Sequence, residues 1–228
     1  MQSPVARGQP PDASVVFCFA LKEEAAPFRK IATGKSDIAI LLTGIGCQNA
    51  ERTVCEFLAN NSPKLMLACG FAGGLNPALK LGEVVFELPD SEIRDLPSAI
   101  RSSLLAAGAK PATFFCTDRI ATAVADKSKL RAETGADAID MESAAIHAVC
   151  RKRGIPCATV RVISDPANEN LPLDFNRLSK PDQSLDCGKL FLAIAKSPGK
   201  IGALMEFQKN TRFAARQLAA VLAQITSP

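Results

Sequence analysis

The chain contains 228 residues, of which 47% are hydrophobic and 22% are charged, and its formal net charge is +4. This balance is typical of a globular protein that buries a core without disulfides or metals. Because the charge is small, Lys and Arg are scattered, and Trp and Tyr are absent, neither a nucleic-acid-binding surface nor a base-stacking platform is indicated.

The N-terminus and the cysteines bear on where the protein works. Residues 1–13 are polar, rich in proline and without the apolar segment of a signal peptide, which predicts a disordered tail before a single domain over 14–228. No apolar run approaches the ~20 residues that cross a bilayer. The eight cysteines form no CxxC pair and His147 is the only histidine, which indicates free thiols and no metal site. We therefore expect a cytoplasmic protein with no membrane span and no cofactor.

Apolar runs alternate with amphipathic segments along most of the chain. Strands are predicted at 15–20, 38–43, 64–69, 82–87, 113–116, 136–140 and 156–164, and helices at 22–30, 48–60, 98–107, 126–134, 142–153, 183–196 and 199–225. Since the strands read as continuous apolar runs separated by helices, they predict a mixed, largely parallel twisted sheet. Helices on both faces would make this a three-layer α/β/α fold.

Polar or glycine-rich residues follow four of the predicted strands at the point where each strand ends. They are Glu24, the glycine-rich stretch Gly70–Gly74, which predicts a loop, Glu142, and the pair Ser164–Asp165. If these strands are parallel, their carboxyl ends meet at one edge of the sheet and the three acids share it. Taken singly, such a Glu is usually a helix-dipole partner and such a Ser-Asp pair is usually a cap. Their joint occurrence favours a functional site, and two acids at neighbouring strand ends suit cleavage of a sugar bond.

Four groups of segments resemble a known family. They are 19–24 (FALKEE), 43–46 with 49–50 (TGIG, NA), 70–75 with the positions that follow it (GFAGGL), and 140–145 with 161–165 (DMESAA, RVISD). On these motifs the chain resembles the purine nucleoside phosphorylase and nucleosidase superfamily, and it is most similar to the 5′-methylthioadenosine/S-adenosylhomocysteine nucleosidases. The resemblance covers most of residues 14–175 and implies a phosphorylase/hydrolase-like α/β fold.

The resemblance implies a site that hydrolyses an N-ribosyl bond. Asp165 would protonate the leaving purine as the general acid, and Ser164 would orient its carboxyl group. Glu142 would accept hydrogen bonds from the ribose hydroxyls, and Met141 would pack on the sugar. Glu24 would orient or deprotonate the attacking water.

Further residues would complete the substrate-binding site in this resemblance. Arg161 would neutralise and position the acidic cluster, with a structural ion pair as an equal alternative. Backbone groups near Ile120 and Ala121 would read the adenine edge. Phe175 would cover the 5′ substituent, unless it is a core residue. The glycine-rich stretch would contribute Phe71, Ala72 and Gly73.

Two positions of the glycine-rich region depart from the family pattern. The serine of the family is Phe71 here, and the basic residue that holds phosphate in the phosphorylases is Ala68. Neither side chain can bind an anion, and Glu24 would repel one, which favours water over phosphate as the nucleophile. Lys22 is the nearby cation that keeps a phosphorylase open as the alternative.

The C-terminal part, from Leu171 onwards, departs from the compact nucleosidases. It is similar to phosphorylase-like proteins associated with hopanoid biosynthesis, which act on an adenosyl-bearing lipid. The predicted function is an adenine-releasing nucleosidase for a 5′-substituted adenosine, as in methionine salvage, with a small purine nucleoside as partner and a homodimer as the assembly. A phosphorylase or a hopanoid-pathway nucleosidase is the alternative among enzymes, and a purine-binding storage protein is the alternative of another class.

Overall fold

The computed structural model describes residues 13–88, 96–174, 176, 199 and 201–226. Three features of the sequence analysis lie outside them: the tail over 1–12, the helix predicted at 183–196, and Phe175. Ala13, the last residue of the predicted tail, is buried against the core.

Eight strands and six helices are found in the part of the chain that the structure describes. The strands are β1 Val15–Phe19, β2 Ile38–Leu42, β3 Leu65–Gly74, β4 Val84–Glu87, β5 Lys110–Pro111, β6 Phe114–Cys116, β7 Ala138–Asp140 and β8 Cys157–Asp165. The helices are α1 Lys22–Ala32, α2 Cys47–Leu58, α3 Leu96–Ala106, α4 Val124–Thr134, α5 Ser143–Lys152 and α6 Ile201–Ile225. Each predicted element in the described residues is present with ends shifted by a few residues, and β5 is an additional short strand.

The strands form one mixed sheet in the order β2-β1-β3-β8-β4-β5, with β6 and β7 attached at the end of β3. β1 is parallel to β2 and β3, and β3 is parallel to β8. β4 is antiparallel to β8, and β7 is antiparallel to the end of β3. The predicted fold class, a mixed and largely parallel sheet between helices, is confirmed.

Separate hydrophobic cores cover the two faces of the central strands. Phe17 and Leu67 enter the core that contains Phe28 of α1 and Leu218 of α6. Their strand neighbours enter the core formed with α2 and α5, because successive side chains of a strand point to opposite faces. Leu218 is fully buried, and truncating such a side chain to Ala typically costs about 2–5 kcal/mol. Both layers therefore hold β1, β3 and β8 rigidly at the edge where the strands end.

The glycine-rich stretch is a strand and not the predicted loop. Gly70–Gly74 continues β3, which pairs with β8 as far as Gly73 and with β7 at Gly73 and Gly74. These ladder hydrogen bonds override the turn preference of glycine. The register shifts between Ala72 and Gly73, as in a β-bulge.

The direction of β7 also differs from the parallel arrangement on which the shared edge was predicted. β7 runs back along β3, with Ile139 opposite Gly73. The chain therefore travels toward Arg161, which lies opposite Gly70, as it leaves β7. The acid that follows β7 reaches the site by this reversal. None of the helices described between residues 13 and 226 is long and apolar enough to cross a membrane.

Candidate functional site

Arg161 is the centre of a cluster of buried charges. It lies on β8 opposite Gly70 and is 1% exposed. Its Nη2 atom is 2.6 Å from Oδ2 of Asp140 and 3.1 Å from Oε2 of Glu142, and its Nη1 atom donates to the carbonyl of Cys69 at 3.1 Å. A buried guanidinium is costly unless it is paired and hydrogen-bonded, so these partners are what its position requires.

Glu24 joins this cluster from the first turn of α1. Its Oε2 atom accepts the N–H of Leu21 at 2.9 Å, and its Oε1 atom accepts the N–H of Phe71 at 2.9 Å. A Cβ atom at Gly70 would lie 2.8 Å from Nη1 of Arg161 and 2.9 Å from the Glu24 carboxylate. Gly70 also has φ +135°, so glycine is what lets the acid and the guanidinium meet over β3.

Glu142 and Asp140 reach Arg161 from the start of α5. Asp140 accepts hydrogen bonds from the N–H of Ser143 at 3.1 Å and from the Ser143 hydroxyl at 2.7 Å, which satisfies the first N–H of the helix. The Oε1 atom of Glu142 accepts the N–H of Gly46 at 2.8 Å. Gly46 has φ +86°, a conformation that favours glycine and turns its N–H toward the acid. The turn after β2 is thereby fastened to the same cluster.

Burial raises the pKa of both glutamates in this cluster. Burial raises the pKa of Glu24 to about 7, with the Arg161 guanidinium opposing this rise and the Glu142 carboxylate adding to it. For Glu142 the Arg161 guanidinium again opposes the effect of burial, while the nearby Asp140 carboxylate raises the pKa further. Glu24 is therefore a carboxyl group that can take up or release a proton near neutral pH.

Asp165 ends β8 and pairs with a buried lysine that the sequence analysis missed. The Nζ atom of Lys127, in α4, lies 2.8 Å from Oδ2 of Asp165 and donates to the carbonyls of Pro166 at 2.8 Å and Glu169 at 3.0 Å. The side chain of Lys127 is 0% exposed and that of Asp165 is 12% exposed. The Ser164 hydroxyl donates to Oδ1 of Asp165 at 2.6 Å. Burial raises the pKa of Asp165, and the Lys127 ammonium and the Ser164 hydroxyl oppose that shift.

Gly73 brings β3 against the Asp165 carboxylate. A Cβ atom at Gly73 would lie 3.2 Å from Oδ2 of Asp165 and 3.0 Å from Cγ2 of Ile139. Gly73 is two residues beyond Phe71, whose N–H binds Glu24, and two strand residues span about 7 Å. The Arg161 cluster and Asp165 are therefore neighbouring groups along one strand.

Phe71 and Ala72 of the glycine-rich stretch, together with Met141, form their polar contacts through backbone atoms. The ring of Phe71 packs against the core beside α1 and α6, on the strand face opposite Gly70. The carbonyl oxygen of Ala72 lies 3.4 Å from the oxygen of the Ser164 hydroxyl, whose proton is donated to Asp165. The backbone carbonyl of Met141 accepts the thiol of Cys47 at 3.2 Å. In place of a family serine, Phe71 thus supplies a core side chain and one N–H.

The segment from Thr117 to Val124 packs beside Ile139 of β7, the residue opposite Gly73. Ala121 is buried with Ile139, which contacts the position of Gly73. The backbone of Ile120 is engaged by a side chain: its N–H donates to Oδ1 of Asn176 at 2.9 Å, and its carbonyl accepts from Nδ2 of Asn176 at 2.9 Å. The Ile120 N–H and carbonyl, which were predicted to bind the adenine edge, are therefore hydrogen-bonded to the side-chain amide of Asn176.

The structure places the two positions that bear on phosphate binding in different environments. Ala68 is buried in the core beside α2 and α5, and Lys22 is exposed on the first turn of α1. Over the described ranges, no group of three or more His, Cys, Asp and Glu side chains is arranged to hold a metal ion.

Comparison with known proteins identifies the family. The model of the phosphorylase superfamily matches residues 17–96 and 94–226. The chain belongs to this superfamily. The predicted family is therefore confirmed, while the similarity to hopanoid-associated proteins stays a prediction.

Individual relatives are more distant than the family match. An aminodeoxyfutalosine nucleosidase from Campylobacter jejuni is 23% identical over 61% of this chain and 72% of its own length. A 5′-methylthioadenosine/S-adenosylhomocysteine nucleosidase from Glaesserella parasuis is 27% identical over 64% of this chain and 77% of its own length. The structure of the 5′-methylthioadenosine/S-adenosylhomocysteine nucleosidase of Helicobacter pylori with butyl-thio-DADMe-Immucillin-A has a TM-score of 0.68 at 18% identity. It covers 93% of this chain and 97% of its own.

Proposed function

We propose that the protein is a purine nucleosidase that hydrolyses the N-glycosidic bond of a 5′-substituted adenosine and releases adenine. The observation that carries the proposal is the placement of two different acids along β3, Glu24 beside Phe71 and Asp165 beside Gly73. Nucleosidases among the relatives bear out the predicted enzyme class, an N-ribosyl hydrolase, and a bound nucleoside analogue in a structural neighbour supports a small-molecule substrate.

The Arg161 cluster, with Glu24 and Glu142, provides the groups that act on the ribose, and it forms the sugar end of the site. Glu142 is held by Arg161 and the Gly46 N–H, which leaves a fixed carboxylate to accept hydrogen bonds from ribose hydroxyls. Glu24, with a pKa of about 7, takes a proton from the attacking water as the oxygen bonds to C1′. The anionic groups around Arg161 stabilise the positive charge that develops on the sugar ring.

Asp165 provides the proton for the leaving purine, and together with Lys127 and Ser164 it forms the purine end of the site. As the bond between C1′ and N9 breaks, its electron pair moves onto the purine, and Asp165 gives its proton to N7. The shift of its pKa by burial favours the protonated form that this step requires. After transfer, the carboxylate is stabilised by the Lys127 ammonium at 2.8 Å and the Ser164 hydroxyl at 2.6 Å. The water proton taken by Glu24 balances the proton given by Asp165.

Water fits this site better than phosphate. The two buried cations beside the acids, Arg161 and Lys127, are both already paired with carboxylates. A phosphate dianion would have to displace one of those partners or approach Glu24 and Glu142 without a cation. Phosphorolysis stays the alternative that an assay must test.

The 5′ substituent is the open part of the proposal. Methylthioadenosine and S-adenosylhomocysteine are the predicted substrates, and the Campylobacter jejuni relative adds aminodeoxyfutalosine as a second candidate. An adenosyl-bearing lipid is the third candidate, from the C-terminal resemblance. A cytoplasmic location, a homodimer and a role in methionine salvage stay predictions.

A substrate panel tests the proposal. Purified protein is incubated in phosphate-free buffer with methylthioadenosine, S-adenosylhomocysteine, aminodeoxyfutalosine and adenosine, and free adenine is quantified by chromatography. We expect catalytic release of adenine from at least one 5′-substituted nucleoside. Adenine binding without release from any of the four would contradict the proposal for these substrates and favour a binding protein or a lipid substrate.

A further inference from the structure

The contact between Asn176 and Ile120 has the hydrogen-bonding pattern of a bound adenine. The Asn176 oxygen accepts the Ile120 N–H and its amino group donates to the Ile120 carbonyl, both at 2.9 Å. Adenine offers the same pair along one edge, with N1 as the acceptor and the N6 amino group as the donor. A carboxamide and an adenine edge are thus interchangeable partners for one backbone N–H and C=O.

The position of this contact places it beside the reacting groups. The segment that carries Ile120 begins at Thr117, whose N–H donates to the carbonyl of Asp140 at 2.9 Å, and leads into α4, which carries Lys127. Lys127 in turn holds Asp165. The Ile120 edge is therefore fastened at both ends to residues of the candidate site.

The chain after Asp165 returns along the same segment. Leu171 donates its N–H to the carbonyl of Thr122 at 2.8 Å, and Oδ1 of Asn170 accepts the N–H of Val124 at 2.8 Å. These two contacts fasten the returning chain to Thr122 and Val124, which follow Ile120 in the same segment. Asn176 alone among these contacts pairs with both polar groups of one residue.

We propose that the Asn176 side chain occupies the adenine-edge position of the free protein and must leave when a purine binds. The inference rests on the proposed function, because it takes the Ile120 backbone as the purine reader. Asn176 then acts as an internal competitor: the affinity for adenine is reduced by the fraction of molecules in which the amide is bound. It also keeps the Ile120 N–H and C=O satisfied while no ligand is present.

Replacement of Asn176 tests the competition directly. In Asn176→Ala, the dissociation constant for adenine, measured by titration calorimetry, is expected to fall about tenfold, the order of two neutral hydrogen bonds removed from the free state. Asn176→Leu is a second variant with the same expected direction, because its side chain is similar in size and neither donates nor accepts a hydrogen bond. Asn170→Ala is the matched control, since it removes a contact of the returning chain without freeing Ile120, and its adenine affinity is expected to stay at the wild-type value.

The outcomes separate this inference from the proposed function. Unchanged or weaker adenine binding in both Asn176 variants, in a protein that still releases adenine from a nucleoside, overturns the competition and leaves the nucleosidase intact. A wild-type protein that neither binds adenine nor cleaves any nucleoside of the panel, with the same result in both variants, overturns both.

Discussion

The two acidic regions of the site differ in how their charge is balanced. Around Arg161, Asp140 and Glu142 share one guanidinium, and Glu24 faces it across Gly70. At the end of β8, Asp165 alone holds one ammonium. An excess of carboxylates suits the binding of ribose hydroxyls and a developing positive charge, whereas a balanced pair suits a group that gives up a proton and is then stabilised as an anion. Charge balance, more than residue type, distinguishes the sugar end from the purine end.

The largest expected effect is at the purine end. Asp165→Asn removes the proton that N7 needs, and the loss of a general acid typically lowers kcat by about 10²–10⁴-fold. The measurement is the rate of adenine release, with adenine affinity followed by calorimetry and expected to be largely retained. Asp126→Asn, an exposed residue of α4, is the control and should keep wild-type turnover. An active Asp165→Asn enzyme would remove Asp165 as the acid.

Arg161→Met would show how strongly the sugar end depends on its one cation. The change leaves Asp140 and Glu142 buried without their counterion, which typically costs about 3–5 kcal/mol in the free energy of unfolding. Urea unfolding measures it. Arg131→Met breaks the half-exposed pair with Asp137 and should cost less than about 1 kcal/mol. Equal losses in the two variants would show that Asp140 and Glu142 do not depend on Arg161 as their counterion.

The pH profile tests Glu24 as the base. Because the base must be ionised and burial raises its pKa to about 7, kcat/KM should rise with pH through about 7 and fall about tenfold per pH unit below it. Glu24→Gln should lose most of the activity, whereas the exposed neighbour Glu23→Gln should keep the wild-type profile. A profile that stays flat down to pH 5 would contradict this role.

The smallest effect is expected from the cation of the purine end. Lys127→Met removes the group that opposes the raised pKa of Asp165, so the pKa of the acid rises further. Since the acid acts when protonated, the alkaline limb of kcat should move to higher pH, and kcat at pH 7 should fall about tenfold as the carboxyl group loses its fixed position. Lys127→Arg should restore part of the wild-type profile, and Lys129→Met, at an exposed lysine of the same helix, should leave it unchanged. An unmoved alkaline limb in Lys127→Met would contradict electrostatic control of Asp165 by this lysine.

The fold and most of the acidic residues of the candidate site could be predicted from the sequence, because both depend on local patterns of apolar and polar residues. Apolar runs that are followed by Glu24 and Glu142, or that end in Asp165, identify strands and the acids near their ends. The strand character of Gly70–Gly74 could not be read in the same way, because it depends on pairing with β8 and β7, which are distant in sequence. Composition favoured a loop there, and tertiary pairing prevailed.

The partners of the acids were the harder part to predict. Lys127 and Lys129 look alike in a charged helix, and only the packing of α4 against the end of β8 buries the first and exposes the second. Asp140 ends β7 and accepts the first N–H of α5, and its contact with Arg161 requires the antiparallel β7. Local spacing identifies acids at strand ends, but the cation each acid receives is decided by tertiary packing.

The identity of the nucleophile tests the account most directly. The cleaving reaction is run with the best substrate of the panel in phosphate-free buffer and again with saturating phosphate. Phosphorus NMR detects any sugar 1-phosphate, and a reducing-sugar assay detects free sugar. The account predicts the same rate of adenine release in both buffers and a free reducing sugar as the product. A requirement for phosphate together with a sugar 1-phosphate product would contradict it, because the carboxylates around Arg161 would then be admitting the anion that they are expected to repel.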